Sequence, residues 1–540
     1  MNHINFAAMG HPRLSCAEGG QIGLKSTKAL ALLGYLLRRR DYKAPRSTII
    51  SFLWSGAGSE KGAISLRQCL RLIRRAQEKA GVVILHASIT ELWIDPDNLR
   101  LEFGGSSQPA DGQAQFLEGL DNLDPVFADW LMQERRVLAG EKEKAAKSDP
   151  APSQIVPNDQ IGRPAILISA QEDAGHWAIS AKDAVMVQLA RYRYFELFVH
   201  NDSPAVKLTH RDIGDYQLSF RTDEPTQRLY VELIEHQTGR VLYLDFIDTA
   251  KFSDASQRDE LISRTVNRIN LYIIHMRDRQ KPADKTPFDI WCKADSYLRE
   301  FRPEADHAAQ NLLEPMAKDG IPFGPIYSSL ASIDLKKRIY HKDNSGNNDL
   351  LMKSLRLAKK SVLIDPFEAF NHQILGWSLF FNGHISDGLK HFDEAYDLNP
   401  SSVFAHMAVA EANGLAGNIE KALRFCEMAF RSADEPPRFF YGYLANIQFA
   451  AQDYDACIES CAMAPHSSLE AQTLAVAANV KVGQLERAFD CFARLAALAG
   501  GSSRQELENW LRRTVIYTAP QPRQAYIDSY AALSIDISPE

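Results

Sequence analysis

The chain has 540 residues, 45% of them hydrophobic and 24% charged, with 61 Lys+Arg against 68 Asp+Glu for a net charge of −7. That length calls for about three or four domains, and that share of apolar side chains suffices for folded cores, which excludes a disordered or fibrous chain. No run approaches the roughly eighteen apolar residues of a membrane helix. The N-terminus lacks a charged start followed by an apolar signal core, and the seven cysteines are too irregularly spaced for a disulfide framework, so a cytoplasmic protein is expected.

The average charge hides an asymmetry. Residues 1–80 hold fourteen Lys/Arg against Glu18, Asp41, Glu60 and Glu78, whereas residues 81–140 hold ten Asp/Glu against three Arg. Such a local excess is the electrostatic footprint of a module that faces nucleic acid. Within it, Thr27 to Leu37 places Leu30, Leu33 and Leu37 at helical spacing and ends in Arg38-Arg39-Arg40. A second helix is expected from Ser47 through Trp54, with Ser47 or Thr48 as N-cap and Ile49, Ile50, Phe52, Leu53 and Trp54 on its buried side. Ser55 to Lys61, with Gly56 and Gly58, reads as an exposed loop.

A third helix follows from about Gly62 to Lys79. Leu66, Cys69, Leu70, Ile73 and Ala76 form its inward stripe, while Arg67, Gln68, Arg71, Arg74 and Arg75 share the opposite arc. Val82 to Leu85 and Leu92 to Ile94 then flank a polar turn as a strand pair. Two helices, a basic helix and a hairpin follow the order of a winged helix, whose third helix enters the major groove. Arg and Gln pair with guanine and adenine edges there, and Arg also clamps phosphates. The candidate DNA-binding residues are therefore Ser65, Arg67, Gln68, Arg71, Arg74 and Arg75, with Lys43 and Arg46 nearby. Arg67, Gln68 and Arg71 are expected to read bases, and Arg74 and Arg75 to hold phosphates. A merely solvated face is the plain alternative, and the positive charge concentrated around it argues for DNA.

Three stretches, Lys28-Ala29-Leu30-Ala31-Leu32-Leu33, Leu53-Trp54, and Ser65 to Ala76, resemble the winged-helix domains of the OmpR/ToxR class, and more closely those of the Streptomyces antibiotic regulatory protein family. Phe116 to Leu120 and Asp129 to Arg136 resemble the start of the bacterial transcriptional activation domain that follows there, although here the helical pattern stops near Lys147. The resemblance covers roughly the first 140 residues. It implies a transcriptional regulator, more an activator than a repressor, in which Gly56, Gly58, Glu60 and Lys61 of the loop face RNA polymerase.

Lys142 to Pro157 is charged and then rich in Pro, Ser and Asn, as a linker is. Beyond it, Ala165 to Ile168 reads as a buried strand, Ala181 to Ala190 as a helix and Tyr194 to Val199 as a second strand. Asp215 to Phe220 reads as a third, and Arg228 to Glu235 and Val241 to Asp245 as a hairpin around Thr238-Gly239. Ser256 to Arg277 closes this region as a long helix. The order resembles the small α/β domain at the N-terminus of TolB. Further on, Gly383 recurs as Gly417, Pro366 as Pro400, Ala395 as Ala429, and Gly388 as Ala422 and Ala456, each 34 apart. That period is similar to tetratricopeptide repeats, stacked helix pairs that bury a core no pair could bury alone. Units 368–400 and 401–437 are clear, 438–468 and 469–499 have drifted, with Gly483 at the last turn, and 286–366 is expected to hold degenerate ones.

No phosphate loop, strand-borne Gly-x-Gly-x-x-Gly, His-Glu-x-x-His or Gly-x-Ser-x-Gly motif occurs, so neither an enzyme nor a cofactor is expected. Cys457 and Cys461 lie one helical turn apart without a second ligand pair and are read as core residues. The expected fold class is multidomain. It comprises an α+β winged helix (1–103), short activation-domain-like helices and linker (104–162), a small α/β domain (163–282), an all-α tetratricopeptide solenoid (286–515) and a C-terminal tail (516–540). The order resembles that of invasion-gene activators with a ToxR-type domain. The expected function is sequence-specific regulation of transcription. Partners are double-stranded DNA, RNA polymerase and a protein or peptide in the repeat groove, with no membrane. The rival reading is a repeat scaffold whose winged helix makes only protein contacts. Residues 141–540 carry a charge of about −10, so an acidic body that competes with DNA for the basic helix is a further expectation.

Overall fold

The computed structural model describes all residues except 1–2, 17–19, 40–41, 57–58, 89, 97, 103–114, 146–160, 171–175, 200–214, 224, 250, 252–253, 280–284, 342–348, 434, 467, 499–502 and 539–540. The fold is mixed α/β with a helical C-terminal region. Among the described residues no helix is long and apolar enough to cross a membrane. Two compact units divide the chain: Met1–Asn158 with Lys359–Phe367, and Asp159–Ala358 with Glu368–Glu540.

The first unit opens with a sheet of very short strands, β1 (Ile4–Ala7), β2 (Arg13–Cys16) and β3 (Gln21–Ile22). A fourth strand, β7 (Leu99–Glu102), joins it parallel to β1, so that the order is β3-β2-β1-β7. Helix α1 (Thr27–Arg38) starts at Ser26, whose hydroxyl accepts the Ala29 amide at 3.3 Å, and buries every residue from Ala29 to Leu37. Strand β4 (Lys43–Pro45) leads into α2 (Arg46–Leu53). Lys28 donates to the Leu53 carbonyl at 2.6 Å and lies 4.8 Å from the Trp54 ring centroid, placing a cation at the C-terminus of α2. Helix α3 (Ser59–Ala80) crosses α2 at Gly62, where a Cβ would stand 2.3 Å from Ile50 Cγ2. Only glycine permits that approach. Strands β5 (Leu85–Ala87) and β6 (Glu91–Ile94) complete a second sheet of order β4-β6-β5.

The segment after the first sheet folds back onto these helices. Phe116 bridges Met9, and α4 (Pro125–Ala145) sends Phe127 and Trp130 against Tyr35 and Phe52, with Trp130 edge-on to Phe52 at 5.4 Å and to Tyr35 at 5.5 Å. Aromatic pairs in such tilted geometry add to the area they bury. Arg38 pairs with Glu134 at 2.7 Å, and Asp124 accepts the Ser55 amide at 2.7 Å. Residues 116–138 therefore share one core with residues 4–101.

The second unit begins with a five-stranded sheet of β8 (Ala165–Ala170), β9 (Glu196–Val199), β10 (Tyr216–Asp223), β11 (Arg228–Glu235) and β12 (Arg240–Asp248), in the order β12-β11-β10-β8-β9. β8 is parallel to β9 and β10, and the rest are antiparallel. Gly239, at φ 66°, turns the β11–β12 hairpin. α5 (His176–Leu189) and α6 (Ala255–Asp278) supply its helices, so strand, helix, strand, strands and closing helix follow the expected order.

Among the described residues fourteen helices follow. They are α7 (Pro287–Leu298), α8 (Pro303–Lys318), α9 (Gly324–Ile339), α10 (Asp349–Ile364), α11 (Ala369–Phe381), α12 (Ile385–Leu398), α13 (Val403–Leu415), α14 (Ile419–Ser432), α15 (Phe440–Ala450), α16 (Tyr454–Met463), α17 (Leu469–Lys481), α18 (Leu485–Leu498), α19 (Arg504–Arg513) and α20 (Pro520–Ala531). Four successive turns, between α11 and α12, α13 and α14, α15 and α16, and α17 and α18, share one backbone. Gly383, Gly417, Gln452 and Gly483 occupy the left-handed region at φ 83°, 86°, 64° and 78°. In each, the amide that follows this residue returns to a carbonyl five residues earlier: His384 to Leu379, Asn418 to Asn413, Asp453 to Gln448, and Gln484 to Asn479, at 2.8 to 2.9 Å. Small residues allow the helices of a pair to touch, and a Cβ on Gly388 would lie 2.8 Å from the Gly376 carbonyl oxygen.

Residues 516–538 depart from the expected tail. α20 buries Tyr526 and Tyr530, and Tyr530 donates to the Thr473 carbonyl at 3.0 Å. Ile535 and Ile537 are buried as well, and with the Thr518 amide on the Leu415 carbonyl at 3.0 Å and the Tyr517 hydroxyl on the Asn446 carbonyl at 3.3 Å the segment lies against α13, α15 and α17, the first helices of three successive pairs.

Candidate nucleic-acid interface

Helix α3 has two faces. Leu66, Cys69, Ile73 and Ala76 are buried, and burial pushes the Cys69 thiol up to about 12, which makes it an unreactive core group. Arg67, Gln68, Arg71, Arg74 and Arg75 are all exposed, as the periodicity predicts. Arg67 makes a long bond to the Ala63 carbonyl, 3.4 Å. Among the described residues no ion pair or hydrogen bond engages Arg71, Arg74 or Arg75. Four guanidinium groups therefore lie along one helix face within an arc of about 120°.

The buried residue that positions this face is Gln77, 9% exposed. Its Oε1 accepts the Ile84 amide at 3.3 Å and the Leu85 amide at 2.8 Å, fastening the end of α3 to the start of β5. Sequence reading misses it, although a glutamine one turn after inward Ile73 is a legible signal: a polar side chain on a buried stripe needs a partner. The β5–β6 connection is held from the other side. Arg46 donates from Nη1 to the Ser88 carbonyl at 2.7 Å and from its backbone to the Thr90 carbonyl at 2.8 Å. The Ser88 hydroxyl accepts the Glu91 amide at 3.0 Å, and His86 stacks on Trp93 at 5.3 Å.

Several expected site residues stand elsewhere. Arg46 is half-buried, and one of its guanidinium N–H groups is committed to the turn. Lys43 is half-buried on β4, opposite Trp93. Ser65 is half-buried and falls off the arginine arc. The loop expected over Ser55 to Lys61 is shorter, because α3 begins at Ser59 and takes Glu60 and Lys61 into its first turn. Gly56 is exposed in the remaining turn, and Gly58 lies outside the described residues. The count of basic residues in 1–80 likewise overstates the available charge: Lys28 caps α2, with burial lowering its pKa, and Arg38 is paired with Glu134.

The exposed face of α3 is not uniformly polar. Ile64 and Leu72 are 45% and 41% exposed beside the arginines. Such a surface can contact phosphates and base edges through its guanidinium groups and thymine methyls through its apolar side chains. No protein-family model matches the chain, and no curated protein matches it.

Proposed function

We propose that the first unit binds double-stranded DNA through α3 and that the protein is a sequence-specific transcriptional regulator, an activator by the resemblance of its N-terminal motifs. In this reading the unit is a winged helix, α3 enters the major groove and β5–β6 is the wing. The observation that carries it is the row of exposed guanidinium groups on α3, three of them without partners among the described residues, on a helix tied to the neighbouring hairpin through Gln77. Arg67, Gln68 and Arg71 would face bases and Arg74 and Arg75 phosphates. The α2–α3 connection around Gly56, with Glu60 and Lys61 at the start of α3, would be the surface offered to RNA polymerase. The repeating helix pairs of the second unit would form a tetratricopeptide array that takes a partner.

The direct test is selection of binding sites from a random duplex pool with the full chain, followed by fluorescence anisotropy. A single enriched motif, bound at least about a thousandfold more tightly than random duplex at equal salt, is the expected result. A second reading is supported by exposed Ile64 and Leu72: the same face is a protein-docking surface on a repeat scaffold. Absence of any enriched motif together with salt-insensitive duplex binding favours that reading.

A further inference from the structure

The second unit contains a cavity of about 240 Å³ where the α/β domain and the helical array meet. Trp291, Phe301, Tyr340, Trp377, Phe404 and Tyr443 contribute aromatic walls. An engineered apolar cavity of roughly 150 Å³ takes up benzene, so this one holds a single ring or a short alkyl chain with a polar head.

The charged groups of the lining do not balance. Asp295 accepts Arg299 Nε at 2.7 Å, and that guanidinium lies 4.6 Å from the Phe404 centroid. Lys336 donates to Asp306 at 2.6 Å, and His341 bonds the same carboxylate at 2.9 Å. Glu368 accepts the amides of Phe370 at 3.1 Å and Arg193 at 3.2 Å. Two carboxyls are left: Glu411 on α13 and Glu470 on α17, 5% and 8% exposed. Asn446 on α15 donates to both, at 3.1 Å to Glu411. Among the described residues neither has a cationic partner. Two buried carboxyls without a counter-charge are costly, and one answer is that they share a proton. Burial and mutual repulsion accordingly raise the Glu411 carboxyl well above the usual range. Asn399, also in the lining and 1% exposed, has an Oδ1 with no hydrogen-bond partner among the described residues, an acceptor aimed at no protein donor.

We propose that this cavity binds a small organic ammonium ion, its apolar body among the aromatic rings and its charged head against Glu411 and Glu470. Each feature suits that class. Aromatic faces attract cations through the ring quadrupole. A buried carboxyl pair gains a counter-ion whose N–H groups are charge-assisted donors. A neutral or anionic ligand of the same shape would leave the carboxyls uncompensated.

The test is calorimetric titration of the full-length protein with phenethylamine and hexylamine, and with 2-phenylethanol as the neutral isostere of the first. Quenching of tryptophan fluorescence provides a second readout, because Trp291 and Trp377 line the site. The expected result is saturable binding of at least one amine, about tenfold or more tighter than the alcohol, and weakened about tenfold by the double substitution Glu411→Gln/Glu470→Gln. Where circular dichroism shows that this variant has not folded, Trp377→Leu takes its place, with the same weakening expected. Failure of both amines to bind at millimolar concentration overturns the proposal. So does equal affinity for the alcohol, or unchanged affinity in the folded variant.

Discussion

Gln77 Oε1 accepts the backbone amide of Leu85 at 2.8 Å, and through that bond a buried side chain of α3 sets where β5 begins. The same oxygen takes the Ile84 amide at 3.3 Å. Replacing it with an apolar residue of similar size leaves two buried N–H donors unsatisfied, and each such orphan costs about 1–3 kcal/mol. Gln77→Leu should therefore speed hydrogen exchange of the Ile84 and Leu85 amides roughly 5- to 150-fold, with exchange in β1 and β2 unchanged. Unaltered protection at both amides would show that the bond does not hold the hairpin.

If α3 enters the major groove, its arginines should separate by role. Arg71→Ala should cost roughly 1–3 kcal/mol on the selected site and relax preference at one or two base pairs. Arg75→Ala should weaken selected and random duplexes alike and flatten the salt dependence by about one unit of slope. Anisotropy titrations over a range of salt concentrations measure both. Identical effects of the two substitutions on selected and random DNA would remove the assignment of bases to one and phosphates to the other.

The four equivalent turns of the array contain one anomaly that can be exploited. Gln452 holds φ 64° where its three counterparts are glycines. The left-handed region costs a residue with a Cβ about 1–2 kcal/mol, partly offset by the greater unfolded-state freedom of glycine. Gln452→Gly should thus raise stability by about 0.5–1 kcal/mol. Gly417→Ala should lower it by more than that, because its Cβ would also come within 2.9 Å of Ala519. A Cβ at Gly483 would meet nothing within 4 Å, so Gly483→Ala should lose only the backbone contribution. Chemical unfolding followed by helical circular dichroism ranks the three variants. The expected order of stability is Gln452→Gly, then Gly483→Ala, then Gly417→Ala, and any other order would contradict this account.

Periodicity makes much of this legible. The stripes of α3, the β11–β12 hairpin and the 34-residue spacing of Gly383 and Gly417 can be read because side-chain identity there repeats with the backbone period. What the sequence hides lacks such a period. β1, β2 and β3 run for four, four and two residues, too short for alternation to register, and β1 finds its parallel partner only at β7, beginning with Leu99. Gln452 conceals the third turn by standing where a glycine is expected. Arg46 and Lys28 look like cations available to DNA, and only the fold brings them to their carbonyl partners, Ser88 and Leu53. The Glu411–Glu470 pair joins two helices well separated in the sequence and is invisible for the same reason.

That pair and His406 give the second unit two pH dependences of opposite sign. The folded pKa of Glu411 is raised, first by burial and then by the charge of Glu470, so its contribution to stability is complete below the unfolded value near 4.5 and is lost as pH rises through the folded one. Glu411→Gln, which keeps an acceptor for Asn446, should therefore gain on the parent as pH rises above the unfolded value near 4.5. His406, which bonds the Pro400 carbonyl at 2.8 Å, is pushed down to about 4 by burial. Its contribution is complete above the unfolded value near 6.5 and drains away as pH falls toward 4, at up to about 1.4 kcal/mol per pH unit. His406→Gln should then gain on the parent only on the acid side. Urea unfolding of parent and both variants across this range, followed by helical circular dichroism, checks the two signs at once. A pair of variants whose stabilities run parallel to the parent at every pH would show that neither group titrates differently in the folded chain.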